Sequence, residues 1–317
     1  MSTNTGRLAP AAILAPVTAR RGSLQLQRRA DTRAAWLFIL PTMLGFVIFV
    51  AGPIIVSILL AFTKYDVVNA PQVIGGANFA EALSDSRVLA SFRNTIVFVI
   101  LANVLQITVA LTLAIAIQRK MAAALRWFFR TAFFLPIITS AASIAIVFGY
   151  LFNKEFGVVN YYHGKIGIDA VPWLVSTRWS LITIVLTYAW QHVGFTFILF
   201  SAGIQNINKE LYEAADLDGV GPWSRLFRIT IPLLSPTILF TTVIGFISAL
   251  QIFDQPTVMT NGGPGDSSRT VVMIIYEAAF RNLRFGYASA VAVLLFVVIL
   301  ALTGVQFLLS RRFVFYK

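Results

Sequence analysis

Six blocks of nearly uninterrupted apolar sequence constrain this chain more than any other feature: approximately Trp36–Phe62, Thr95–Ile117, Ala132–Phe152, Leu181–Ile204, Pro236–Phe253 and Tyr287–Leu309. Each is close to the roughly 20 residues a helix needs to cross a hydrocarbon core of ~30 Å. They do not read as buried helices of a soluble protein. Every block is apolar on nearly all sides, and with only 12% charged residues too little polar sequence remains to cover a core made from them. The backbone has to be helical, since an open strand would leave its amides unpaired in lipid and no alternating barrel pattern is present. The expected fold class is an all-α integral membrane protein with six transmembrane helices.

Orientation follows from the basic residues. Six Lys or Arg lie in the N-terminal tail, four in the second connection, three in the fourth and three at the C-terminus, against nine in the other three connections together. That bias predicts both termini in the cytoplasm. The net charge of +12 is distributed between hydrophobic blocks rather than gathered in one patch, which points to membrane topology and away from nucleic acid. Residues 1–34 carry Arg7, Arg20, Arg21, Arg28, Arg29 and Arg33 without an apolar core, so a disordered cytoplasmic tail is expected, followed by one membrane domain over 35–317. The first apolar block is too long and starts too late for a cleavable signal peptide and reads as a signal anchor. With no Cys, disulfides and thiolate chemistry are excluded.

The fourth connection is unusually patterned for a loop. Asn208 can cap a helix whose first turn holds Glu210, Gly219 suits the left-handed position after its last turn, and Pro222 suits the first turn of a second helix over Trp223–Ile231, ending before Pro232. The expectation is a helix-turn-helix outside the bilayer on the cytoplasmic side, between spans four and five. Small Ala214 and Ala215 would let another surface approach, Leu211 and Leu217 offer apolar contact, and Glu213, Asp216 and Asp218 supply charge.

Glu213-Ala214-Ala215 with Asp218-Gly219, followed by Phe227, Ile229 and Pro232, resembles the cytoplasmic loop of ABC importer permeases; Val220 departs mildly from the Ala common at that place. Thr260-Asn261-Gly262-Gly263-Pro264, then Tyr276, Ala279-Phe280 and Gly286-Tyr287-Ala288, is similar to the carbohydrate branch of that family and to its first, maltose-type permease subunit, without that subunit's large periplasmic insertion. The resemblance implies a sugar or related solute delivered by an extracytoplasmic binding protein, a second homologous permease, and two ATPase subunits that use ATP and Mg. It implies that Glu213, Ala214, Ala215, Asp218, Gly219, Phe227, Ile229 and Pro232 couple ATP hydrolysis to transport, in a bacterial inner membrane.

The remaining polar residues allow weaker readings. Gln191 and His192 in the fourth span and Gln251 near the end of the fifth either line a substrate path or make interhelical hydrogen bonds. Asp254 and Gln255 read as interfacial, and His163 as a solvated surface histidine. A channel or ion-coupled carrier would show ionisable groups inside the spans, and these are almost lacking. An enzyme would need a His, Asp, Glu or Cys cluster that the spans do not offer, and Gly164-Lys165 has Val159 where a phosphate-binding loop needs glycine. No metal, cofactor or catalytic residue is therefore expected on this chain.

Overall fold

The computed structural model describes residues 35–117 and 123–314, and the expected basic tail over 1–34 lies outside them. Contacts divide the chain into two compact units, Met1–Val56 and Ser57–Lys317. Five of the described helices are long and apolar enough to cross a membrane, and a sixth span results if one sharply bent pair is counted together. The chain is thus a multi-pass helical membrane protein.

The first long helix, α1 (Ala35–Leu60), is wound as a π-turn over Val47–Ala51. The cause lies just beyond, where Pro53 has no amide to offer the carbonyl of Phe49. A short antiparallel pair, β1 (Thr63–Lys64) with β2 (Gln72–Val73), then precedes α2 (Ala77–Ser84) and the long α3 (Ser86–Ile117). This pair is an addition to the all-helical expectation, confined to a connection.

The expected third span, Ala132–Phe152, is not one straight helix. It is built from α4 (Ala123–Ile138) and α5 (Ala141–Leu151), whose axes differ by 104°. Pro136 weakens the end of α4 by removing a donor, and Ser140, at ψ 132°, leaves the helical region altogether. The apolar run hides this break because hydrophobicity reports burial or lipid contact and says nothing about direction. After α6 (Val158–Lys165), the fourth span is α7 (Ser180–Gln205).

The second helix of the fourth connection is not a separate element ending before Pro232. A single helix, α9 (Pro222–Leu250), runs from that connection through Pro232 and Pro236 into the fifth span, with a π-turn at Leu226–Thr230. The turn precedes Pro232, which cannot supply the helical donor to the carbonyl of Arg228. Short α10 (Asp254–Thr260), then α11 (Val271–Tyr276) with a π-turn over Glu277–Arg281, lead to the last span, α12 (Phe285–Phe313).

Within the unit that begins at Ser57, α3 and α7 form the most extensive helix pair. The face that α3 buries repeats every four residues as Ala102, Gln106, Ala110 and Ala114. In lipid, where apolar burial gives little net drive between helices, such small residues allow the close packing that holds helices together. Phe98, Phe197 and Phe200 fill the remaining space and are fully buried. Gly194 on α7 permits the nearest approach: a Cβ there would stand 1.7 Å from the carbonyl oxygen of Phe133 on α4, so any side chain would push the two helices apart.

Candidate functional site

The fourth connection opens with α8 (Lys209–Leu217), held at both ends by its own sequence. Asn208 Oδ1 accepts the Glu210 amide at 3.0 Å, and Asn208 Nδ2 donates to Glu210 Oε2 at 3.1 Å. At the other end Gly219 takes φ +69°; its amide donates to the Asp216 carbonyl at 3.2 Å while the Val220 amide donates back to Ala215 at 2.9 Å. This paired closure is the glycine-terminated helix end known as the Schellman motif, and it needs the left-handed residue that Gly219 supplies.

One side of α8 is fastened to the following helix. Arg225 Nη1 donates to Asp216 Oδ1 at 2.6 Å, the Tyr212 hydroxyl lies 3.1 Å from Thr230 Oγ1, and the Arg225 guanidinium sits 5.8 Å from the Tyr212 ring centre. Ala215 is buried on this side. Ala214 is exposed together with Leu211, Glu213, Asp218 and Leu217, the last of these 90% exposed. The surface presented outward is therefore acidic with two leucines in it. Trp223 and Phe227, both exposed, stack with ring centres 6.2 Å apart at 16°. Ile229 and Pro232 are half-buried.

The polar residues of the spans are placed as follows. Gln191 is buried; its Nε2 donates to the Thr139 carbonyl at 3.2 Å, and its Oε1 accepts from Gln255 Nε2 at 2.8 Å. One amide thus joins three elements: α7, the corner between α4 and α5, and α10. Gln255, read from sequence as interfacial, is buried within the protein. His192 is half-buried, stacked on Tyr188 with centres 4.0 Å apart, its Nδ1 2.9 Å from the Tyr188 carbonyl. Gln251 caps the end of α9 and is exposed. His163 is half-buried, its ring 5.8 Å from that of Trp173.

Sequence reading passed over Asn103 and Gln106. Gln106 Nε2 donates to Thr196 Oγ1 at 2.7 Å, and Asn103 Nδ2 donates to the Val99 carbonyl at 2.9 Å, with its Oδ1 against the bare backbone of Gly245. Two amides three residues apart in an apolar run were the available signal.

The loop between α10 and α11 is an ordered connector. Asn261, Gly262, Gly265 and Asp266 have positive φ, and the Ser268 hydroxyl donates to the Gly263 carbonyl at 2.7 Å. Asn94 Nδ2 on α3 donates to the Asp266 carbonyl at 2.7 Å. Arg269 pairs with both Asp266 and Glu277, and Arg87 Nε reaches Asp266 Oδ2 at 3.1 Å. Burial opposes ionisation of Asp266, but the hydrogen bonds and charges of Arg269 and Arg87 outweigh it and hold the carboxyl below its ordinary range. Among the described residues no group of three or more His, Cys, Asp or Glu is placed to hold a metal ion.

The described residues form a multi-pass helical membrane protein with a short capped helix, α8, between two of its long apolar helices. The chain belongs to the family described as binding-protein-dependent transport system inner membrane component, whose pattern matches residues 106–315. It is 34% identical over 295 residues to the lactose transport system permease protein LacF of Rhizobium radiobacter, covering 90% of this chain and 97% of that one. With the probable ABC transporter permease protein YurN of Bacillus subtilis it shares 32% identity over 274 residues, 86% of this chain and 94% of the other. A solved bacterial alginate ABC transporter, in complex with a periplasmic protein bound to an alginate pentasaccharide, contains a chain of similar fold: TM-score 0.77 at 26% identity, covering 89% of this chain and 96% of that one. The chain is accordingly a permease subunit of an ABC importer and not an enzyme.

Proposed function

We propose that this permease carries a sugar or related solute across the inner membrane through six spans, the bent pair α4–α5 counting as the third. Both termini and α8 face the cytoplasm, as the sixteen-to-nine split of basic residues supports. A second, homologous permease completes the pathway, an extracytoplasmic binding protein delivers the solute, and two ATPase subunits supply the work with ATP and Mg. The naming of LacF for lactose and the alginate complex support a carbohydrate as the solute.

The observation that carries the coupling assignment is the geometry of α8: capped by Asn208, closed at Gly219, fastened on one side, and presenting Glu213, Ala214 and Leu217 on the other. Such a short rigid helix transmits motion as a unit, because packed helices shift rather than deform. Glu213 offers a charge-assisted contact to a basic or amide group of the ATPase. Phe227, Ile229 and Pro232 act at the other side of the turn, where α9 begins its passage into the membrane. Gln191, His192 and Gln251 contribute to the substrate pathway, Gln251 directly and Gln191 through the corner it holds.

The test is binding-protein-stimulated ATPase activity, with uptake followed in parallel, in reconstituted complexes carrying Gly219→Val or Glu213→Lys. Loss of stimulation and uptake with retained membrane insertion is expected for both. Wild-type behaviour in both removes α8 from the coupling path.

A further inference from the structure

The third connection holds a helix that the transport reading does not use. On α6, Val158, Tyr161, Tyr162 and Lys165 are all exposed, at the i, i+3, i+4, i+7 positions of one helical stripe. Phe156 before it, at 63% exposure, and Ile166 after it, at 71%, extend the same apolar surface. The stripe contains no carboxylate, and its one cation, Lys165, lies with Nζ 5.3 Å from the centre of the Tyr161 ring.

The opposite side of α6 is fixed to its own loop. Asn160, buried, donates to the carbonyls of Lys154 and Val171, both at 3.0 Å, and its Oδ1 accepts from the Val171 amide and from Trp173 Nε1. The outward stripe is therefore held in place and not an accident of a loose loop. It also continues a surface of the preceding helix. On α5 the exposed residues are Ser143, Ile146, Val147 and Tyr150, again at i, i+3, i+4, i+7, and the Tyr150 ring meets that of Phe156 at 6.2 Å.

We propose that α6 is an interfacial anchor, lying in the headgroup layer of the leaflet on its side of the membrane. Tyr161 and Tyr162 place their rings at the acyl boundary with the hydroxyls toward water, and Lys165 extends to the lipid phosphates. Three observations favour lipid over a protein partner. The stripe is continuous with an apolar helix surface; Tyr is a residue that gathers at membrane interfaces; and a lone Lys at the end of an apolar stripe, its ammonium over the Tyr161 ring, suits an anionic headgroup layer, whereas Lys is depleted in protein interfaces. The anchor would fix α5, and with it the corner at Thr139, relative to the membrane plane.

The chain has no native Cys, so one introduced Cys is its only site for a nitroxide label and the chain can be labelled before it is assembled with its partners. Labels at positions 158, 161 and 162, with a water control at 169, are placed on the full chain in its complete transporter, in vesicles of phosphatidylethanolamine and phosphatidylglycerol. Collision with oxygen is compared with collision with a water-soluble nickel chelate. The expected result is an oxygen preference at 158, 161 and 162 and a nickel preference at 169. Strong nickel collision at the first three positions means that the stripe is in water, and protection from both reagents means that protein covers it; either overturns the proposal. If one label impairs assembly, the remaining two decide. Independently, Lys165→Glu is expected to move the 162 label several-fold toward nickel accessibility in anionic vesicles but not in vesicles of phosphatidylcholine alone, and an equal change in both overturns the role of Lys165.

Discussion

Gln191 offers the sharpest test of the polar organisation inside the spans, because its two hydrogen bonds can be removed almost without changing volume. Gln191→Leu strands the Thr139 carbonyl at the helix break and Gln255 Nε2, both now bonded to it at 3.2 and 2.8 Å. A buried group left unpaired costs about 1–3 kcal/mol, and the lower end applies here because hydrogen bonds between membrane helices average only ~0.6 kcal/mol. Near-isosteric Leu keeps the cavity contribution small. Of the two only Gln255 Nε2 is fully buried, Thr139 being exposed, so the expected destabilisation is about 1 kcal/mol. Gln255→Leu strands only the Gln191 carbonyl oxygen and should lose about 1 kcal/mol. The double variant tests whether the two side chains communicate. If they do, its loss falls short of the sum of the single losses by at least ~0.6 kcal/mol. Denaturation of the purified complex in mixed micelles measures all three, and strict additivity, within about 0.3 kcal/mol, refutes the reasoning.

Externally added thiol reagent should fail to label a Cys placed at Gly219 and should label one placed at Asp169; strong external labelling at 219 reverses the topology. Gln251→Ala and His192→Ala should alter apparent affinity or solute preference in uptake assays while the complex purifies intact, and unchanged uptake in both removes them from the pathway. Arg225→Ala, which breaks the pair with Asp216, should change stability by no more than about 1 kcal/mol because Asp216 is mostly solvated, yet it should lower stimulated ATPase activity if the fastening of α8 matters. Asp266, with its carboxyl held below the ordinary range, contributes stability that is present above its unfolded value and is lost only as pH falls through its lower folded value. Protease resistance of the 260–284 region should accordingly persist from neutral pH down through the usual carboxylate range, and Arg269→Gln should move its loss to higher pH.

The features legible in the sequence were those with a local cause. Apolar runs announce the five helices long enough to cross a membrane, and Asn208, Gly219 and Pro222 each declare a helix boundary through their own backbone preferences, which is why α8 begins and ends where these residues put it. Features that depend on a distant partner were not legible. Whether Pro232 ends a helix or is carried through it depends on the π-turn before it and on packing along α9. The buried partner of Gln255 is Gln191, 64 positions away in sequence. The corner at Ser140 is an intermediate case, since Pro136 marks the weak point but a proline inside an apolar run more often kinks a helix than turns it through 104°.

The continuity of α9 has a mechanical consequence. Twenty-nine helical residues at a rise of 1.5 Å form a rod of about 43 Å. Its joint is the π-turn at Leu226–Thr230, close to one end, so the arms on either side are very unequal. The long arm from Ile231 to Leu250 measures about 30 Å, and a rotation of about 10° at the joint sweeps its far end through roughly 5 Å. Gln251, Phe253 and Asp254 follow directly on that end. On the transport reading proposed above, pivoting of this helix as one rigid unit about that turn would enlarge a shift of an ångström or two at Trp223 several-fold at the opposite end.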